Sequence, residues 1–264
     1  MSIALQVALV MVTILVILLI IGAPIGVAIG LSSAVSMICM IPANVSFATS
    51  AQRIFAGSNS FSLIAIQFFI LAGNIMNNGG IATRLVNCAK VIAGRMPGAL
   101  AQSNVVANML FGAISGSGAA AAAAMGGTIG PLEEKEGYDK NYSTAVNVAS
   151  APVGMLIPPS NTMIVYSSVA GSVSIAALFM AGYIPGLLWG GAVMILAGIM
   201  AKKRGYQAEQ RVPVKVALKT FWQAIPSLLL IVIVIGGILG GIFTATEGSA
   251  IAVVYATVLS LIYK

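Results

Sequence analysis

Histidine is absent from this 264-residue chain, cysteine occurs twice, and acidic side chains number six. Without histidine the chain lacks the commonest metal ligand and the side chain best suited to shuttling protons near neutral pH. Cys39 sits in an apolar run and Cys88 in a basic, amphipathic one, so both read as small packing residues rather than disulfide partners. Charged residues make up 7% of the chain, where soluble domains carry about 25%. The thirteen Lys and Arg residues are not interleaved with aromatics, and so apolar a chain has no charged face for a duplex, which excludes nucleic-acid binding. No His, Asp or paired carboxylate lies within an apolar run, and no phosphate loop or metal-ligand spacing occurs. The sequence is therefore not read as an enzyme.

What the chain has in quantity is apolar length: 59% of its residues are hydrophobic. Apolar segments fall at 4–22, 25–41, 60–78, 143–170, 176–201, 223–242 and 248–263, with a paired short run over 98–130. A helix of about 20 apolar residues crosses a bilayer, so the fold class is all-α, a polytopic transmembrane protein. The first run starts at Ile3 with no basic stretch or small-residue cleavage site, and reads as a retained helix rather than a signal peptide. Gly22-Ala23-Pro24 makes a tight turn into the second helix. Residues 79–96 and 202–222 carry Lys and Arg among apolar positions, as interfacial arms or solvated loops do.

Charge sets the threading. With the N-terminus outside, the arm at 79–96, the loop at 131–142, the arm at 202–222 and Lys264 all fall on the cytoplasmic side. Twelve of thirteen basic residues are then inside, and Arg53 alone is outside. This requires 98–130 to enter and leave on one side. Its two halves, Gly98 to Ile114 and Ala119 to Ile129, are each too short to span comfortably. They meet at Ser115-Gly116-Ser117-Gly118, so the segment is expected to be a re-entrant hairpin, with irregular backbone shielded from lipid.

The hairpin's expected partner is an interrupted helix at 143–170, broken by Pro158-Pro159 in Gly154-Met155-Leu156-Ile157-Pro158-Pro159-Ser160-Asn161-Thr162. Carbonyls freed around Gly154 to Pro158, the hydroxyls of Ser160 and Thr162 and the Asn161 amide oxygen are candidate ligands for a hard cation such as sodium. The tip adds the Ser115 and Ser117 hydroxyls and carbonyls turned by Gly116 and Gly118. A helix starting at Ala119 presents free N–H groups to an anion. Half-helix ends facing unwound carbonyls recur in secondary transporters. Asn147 and Ser150 are candidates for lining the cavity. Gln67, Asn74, Gln102, Asn104 and Asn108 are read as interhelical hydrogen-bonding groups. Glu247 is read as the acid of a capping box, Thr244-Ala245-Thr246-Glu247. Glu133-Glu134-Lys135-Glu136 is read as a solvated connection.

Ser115-Gly116-Ser117-Gly118 with its alanine run, Glu136-Gly137-Tyr138-Asp139 and Ile157-Pro158-Pro159-Ser160 follow one another in a recognisable order. Ala177 to Leu188, with Gly182-Tyr183-Ile184-Pro185-Gly186, and Gly241 to Glu247 continue it. The set resembles the large membrane subunit of tripartite ATP-independent periplasmic (TRAP) transporters, of the ion-transporter superfamily, from about residue 20 onward. Asn161-Thr162 departs from the family's usual apolar continuation and resembles a Ser-Asn-Thr tip of related symporters.

The resemblance implies a sodium-coupled importer of an organic acid anion, of C4-dicarboxylate or sialic-acid type, working by an elevator-like motion in the bacterial inner membrane. It implies as partners a small four-helix membrane subunit and a periplasmic substrate-binding protein, besides membrane lipid. Carried onto this chain, sodium is assigned to Ser115, Gly116, Ser117, Gly118, Gly154, Pro158, Ser160 and Asn161. Substrate is assigned to Ser117, Ala119, Ser150, Ser160, Asn161 and Thr162. The expected organisation is scaffold helices at 1–41, a third span and interfacial arm at 42–96, the re-entrant hairpin at 97–130 and the interrupted helix at 131–175. A span with a second basic arm at 176–222 follows, then scaffold helices beginning a second repeat at 223–264. Family members are longer, with two inverted repeats, so the chain is expected to be an N-terminal portion. A stand-alone sodium/anion symporter and a non-transporting membrane scaffold are the alternatives.

Overall fold

A computed structural model describes residues 3–171, 173–208 and 213–263. Among them every regular element is a helix, which bears out the all-α expectation. Five helices are long and apolar enough to cross a membrane, or six when a bent pair is counted as one span. The chain divides into two units, residues 1–60 and 61–264.

The first unit holds α1 (Ile3–Ile20), α2 (Ile25–Ile38) and α3 (Ala43–Ser58). None of the residues of α1 is buried, and all but two are apolar, the composition of a helix that meets lipid. Gly22 takes a left-handed conformation (φ 86°), which lets the chain reverse before Pro24 caps α2. Helix α3 was not expected. Asn44, Ser46, Thr49, Ser50, Gln52 and Arg53 interrupt its apolar positions, so no hydrophobic run announces it. It is held instead by small polar packing: the buried Ser46 hydroxyl donates to Ala34 O on α2 at 2.6 Å. Cys39 is exposed at the end of α2, which corrects its reading as a packing residue; Cys88 is buried, and both are free thiols.

The second unit runs α4 (Phe61–Asn78), α5 (Ile81–Ala93), α6 (Ala99–Ser115), α7 (Gly118–Thr128), α8 (Gly130–Lys135) and α9 (Lys140–Ser150). It continues through α10 (Val153–Leu156), α11 (Asn161–Ala170), α12 (Ile175–Lys203), α13 (Val214–Leu239) and α14 (Ala245–Tyr263). The arm at 79–96 is an ordered amphipathic helix, α5, whose apolar face of Ile81, Leu85, Val86 and Ala89 packs on α6 and α13. Its Arg84 guanidinium stands 3.3 Å above the Tyr263 ring. The second basic arm is not a separate element. Lys215 and Lys219 occupy the first turns of α13, one continuous helix that includes the span expected from 223. Arg211 and Lys264 lie outside the described residues.

Helix direction follows from contacts at the ends. The Thr246 hydroxyl donates to Phe61 O, and Gly79 meets Ser260, so α4 and α14 run parallel along each other. Gly98 meets Ala201, the Gln102 amide donates to Met194 O at 2.8 Å and the Tyr142 hydroxyl donates to Ala197 O at 2.8 Å. The starts of α6 and α9 and the end of α12 therefore share one end of the unit. Asp139 pairs with Arg204 at 3.3 Å there, and Tyr138 stacks on Tyr206 at 4.2 Å. Arg95, Lys135, Lys140, Lys202 and Lys203 flank this same end by chain position. Thr244 and Glu247 form the expected capping box: the Thr244 N–H donates to Glu247 Oε2 at 2.8 Å, and the Glu247 N–H to Thr244 Oγ1 at 3.3 Å.

One acidic residue overturns its reading. Glu133 is 1% exposed, because Glu133-Glu134-Lys135 belongs to α8 rather than a solvated connection. It lies one turn after Ile129, itself fully buried, and shares that inward face.

Candidate functional site

The 98–130 segment folds back on itself. Asn104, on α6 before the tip, and Gly126, on α7 after it, line the same cavity, so the two helices run side by side in opposite directions. The turn between them is the Ser-Gly-Ser-Gly run. Gly116 closes α6 in a left-handed conformation (φ 63°) that few other residues adopt. Ser117 turns to extended backbone and caps α7, its hydroxyl accepting from the Ala120 N–H at 3.3 Å.

The broken helix meets this tip. Its two limbs, 140–156 and 161–170, bend by 47° across the link at 157–160, where neither proline can donate to a helical ladder. Ser160 caps α11 by accepting from the Met163 N–H at 3.4 Å, and its own hydroxyl donates back to Met155 O across the break. Asn161 joins link to tip: its N–H donates to Gly116 O at 3.2 Å and its side-chain amide to Ser115 O at 3.3 Å. Its Oδ1 is buried without a hydrogen-bond partner, beside Gly116, whose missing Cβ would stand 3.1 Å from it. A Cβ there would also meet Pro159 O at 3.0 Å. Two half-helices, α7 and α11, thus start within contact distance, each serine-capped, with an unsatisfied oxygen between them.

The structure brings together Ser115, Gly116, Ser117 and Asn161 from the expected set, with Ser160 capping the adjoining helix. Gly118 closes against Ala151 O, 3.0 Å from where its Cβ would lie. Pro158 is buried in the link and joined to Pro159 by a cis peptide. Gly154 lies one helical turn back from the tip, beside Gly112, whose carbonyl accepts from the Gly116 N–H at 2.8 Å. It packs backbone to backbone on Gly112 of α6, and neither position has room for a Cβ. The Ser150 hydroxyl is engaged between helices: it accepts from Asn108 Nδ2 at 2.8 Å and donates to Asn147 O at 3.1 Å. Ala119 and Thr162 are exposed beside the junction.

A polar seam runs back from the tip between α6 and α9. The Asn108 amide nitrogen faces Asn104 Oδ1 at 2.9 Å, Asn147 Oδ1 at 3.0 Å and Ser150 Oγ at 2.8 Å. Asn147 in turn donates to Ala122 O on α7 at 2.9 Å. The seam therefore ties both hairpin arms to the broken helix, and the buried amides are expected to hold these elements as one body. Glu133 was not among the expected site residues, whereas the Pro159 carbonyl belongs to the link from Pro158 to Asn161 that was expected to supply ligands, though Pro158 was the proline assigned. Glu133 gave one signal, its one-turn spacing from Ile129.

The sequence matches the family described as "Tripartite ATP-independent periplasmic transporter, DctM component" over residues 12–264. It is 53% identical over 233 residues to an uncharacterized protein, YgiK, of Salmonella typhimurium, covering 88% of this chain and 54% of that one. It is 41% identical over 224 residues to a C4-dicarboxylate TRAP transporter large permease, DctM, of Vibrio cholerae, covering 84% of this chain and 49% of that one. To the sialic acid TRAP transporter large permease SiaM of Vibrio cholerae it is 39% identical over 217 residues, covering 81% of this chain and 50% of that one. The chain spans about half the length of these relatives. A match over nearly its whole length, carrying the serine-glycine tip and the prolyl break, means that the chain belongs to the DctM-component family of tripartite ATP-independent periplasmic transporters.

Proposed function

We propose that this chain is part of a large TRAP permease that imports an organic acid anion across the bacterial inner membrane, driven by sodium. The observation that carries this is the tip junction: two half-helix N-termini and the unpartnered Asn161 Oδ1 meet at one point. The donors there, Asn161 Oδ1, the Ser115 hydroxyl and the carbonyls of Ser115, Gly116 and Pro159, are all oxygens, which suits sodium. The N-termini of α7 and α11 carry partial positive charge and suit a carboxylate on the exposed side, by Ala119 and Thr162. Relatives named for C4-dicarboxylate and sialic acid support an acid of that kind as substrate.

The hairpin and the broken helix move together in this reading, in an elevator motion against α13 and α14. The seam of Asn104, Asn108, Asn147 and Ser150 favours a single moving body. Its face toward those helices is apolar: Ala113, Ile114 and Pro159 against Leu230, Val234 and Ala252, a contact with little polar linkage to break on sliding. The N-terminus is outside, the hairpin enters from the cytoplasmic side, and a small four-helix subunit and a periplasmic binding protein complete the assembly. The basic end of the second unit and the parallel run of α4 and α14 both fit that threading.

The test is uptake into proteoliposomes by the assembled transporter under an imposed sodium gradient, with Asn161→Ala and Ser115→Ala compared to the unaltered protein. Both variants are expected to raise the half-saturating sodium concentration roughly tenfold, the cost of losing one charge-assisted ligand. Unchanged sodium dependence in both removes the tip assignment.

A further inference from the structure

Away from the tip, a cavity of about 360 Å³ opens between α6, α8 and α9. Three side chains on its wall are buried and each has a polar atom without a partner: Glu133 Oε1 (1% exposed), Asn104 Nδ2 (0%) and Ser143 Oγ (9%). Gly126 and Gly130 leave the opposite wall without side chains, and Tyr138, Thr144 and Asn147 complete it. Burial pushes the Glu133 carboxyl up to about 7. The Ser143 hydroxyl beside it and the repulsion of Glu136 act against each other as smaller influences, and the Ser143 contact falls short of a well-formed hydrogen bond. A buried carboxylate without a partner is costly unless something neutralises it. Lys140 on the cavity rim is exposed and forms no ion pair with it; among the described residues the one ion pair is Arg204 with Asp139.

We propose that this cavity binds one partly hydrated monovalent cation, held by the Glu133 carboxylate and the Ser143 hydroxyl and separate from the tip junction. The three unpartnered groups fit that ligand and disfavour others. Glu133 Oε1 and Ser143 Oγ are hard oxygen ligands, while Asn104 Nδ2 cannot bind a cation and donates instead to a water of its hydration shell. The volume leaves room for such waters. A divalent ion is disfavoured, because among the described residues no three His, Cys, Asp or Glu side chains gather to hold one. The second acid on the wall, Glu134, is exposed. An anion is disfavoured by the two carboxylates. At the basic end of the unit, the cavity draws its cation from the same side as the hairpin's base. The seam of Asn104, Asn108 and Asn147 then connects an occupied cavity to the arms that carry the tip.

The test is thermal unfolding of the purified protein in detergent, together with its membrane partners. NaCl or KCl is titrated against choline chloride at constant ionic strength and about pH 8, where the carboxyl is charged. An Asn161→Ala, Ser115→Ala background moves the response of the tip to far higher sodium, so that a cavity response is read at concentrations below it. A saturable rise in melting temperature with Na+ or K+ is expected to persist there, to vanish in Glu133→Gln, and to need severalfold more cation in Ser143→Ala. A larger response to K+ assigns the site to the common cytosolic cation, and a larger response to Na+ to the coupling ion. Should Glu133→Gln not fold, Ser143→Ala and a pH series on that background decide. The half-saturating concentration is expected to climb as pH falls below about 7, because proton and cation compete. Melting that is indifferent to Na+ and K+, or that responds alike in Glu133→Gln, overturns the site. Stabilisation by lowering pH alone, with no cation response at any pH, shows that the carboxyl takes a proton instead and overturns it equally.

Discussion

Asn161 carries more of the junction than any other side chain. Through its backbone and side-chain amides it spends two donors on the carbonyls of Gly116 and Ser115, and leaves an oxygen facing the tip. Asn161→Asp is expected to keep the shape but lose the side-chain donor and add a negative charge, loosening link from tip while tightening cation binding. Uptake and sodium affinity should then move in opposite directions, which flux measured against sodium concentration reads directly. Glu133 makes a different prediction. Its carboxyl holds a proton up to about pH 7 in the fold, against 4.5 for an unperturbed carboxyl. Between those values the fold binds more protons than the unfolded chain, so stability falls as pH rises. Below about 4.5 Glu133 costs nothing, and above about 7 its cost is complete, unless a cation is bound. Glu133→Gln is expected to flatten that part of a melting-temperature profile taken in choline chloride. The sequence showed the Asn161 oxygen as a candidate ligand but hid Glu133. A charge beside two other charges reads as exposed, and only the turn of α8 points it inward.

Among the elements, α6 and α10 cross where Gly112 and Gly154 touch through their backbones. Gly154→Val is expected to force these helices apart and to abolish recovery of folded protein. Gly127→Ala, on α7 where the added methyl meets nothing within 4 Å, should be tolerated and gain up to about 1 kcal/mol of helix propensity. Size-exclusion profiles and melting temperatures of the two variants check this contrast. Gly154 was expected to offer a carbonyl to a cation, and the fold also uses its lack of a side chain. A sequence presents a glycine beside a proline pair without saying whether backbone freedom or small size is in use. At α14 the reading was easier, because a capping box is local. Thr244→Ala should cost about 1 kcal/mol by removing the hydroxyl's bonds with the Glu247 N–H and carboxylate, while the Thr244 N–H keeps its bond to Glu247 Oε2, a shift visible in thermal unfolding.

At the scale of the molecule, the ends of α4 and α14 lie together and the start of α9 lies against the end of α12. Those directions fit the alternation of crossings in the threading drawn from charge, and labelling reads which side is cytoplasmic. In a chain with Cys39 and Cys88 replaced by alanine, a cysteine at exposed Lys203 should react with a membrane-impermeant maleimide only from the cytoplasmic face. One at exposed Ile242 should react from outside. Reaction of both from one side would require a different count of crossings.

Composition and apolar run length by themselves determined that this is a polytopic helical membrane protein. The placement of its serine-glycine tip and prolyl break determined that two half-helices would be interrupted. Hydropathy and backbone breakers are local properties, and a bilayer constrains the chain so strongly that local properties suffice for the class. They missed α3, whose polar residues silence the hydrophobic signal, and they split α13, whose basic first turns resemble a loop. Tertiary structure alone decided which tip atoms meet which link atoms, that Gly154 packs on Gly112 and Ser150 bonds Asn108, and that Glu133 is buried over a cavity. Each of these depends on how two helices distant in sequence are rotated and set against one another. A few degrees of rotation there decide whether a polar atom meets a ligand, a neighbour or nothing, and that is a property of packing rather than of order along the chain.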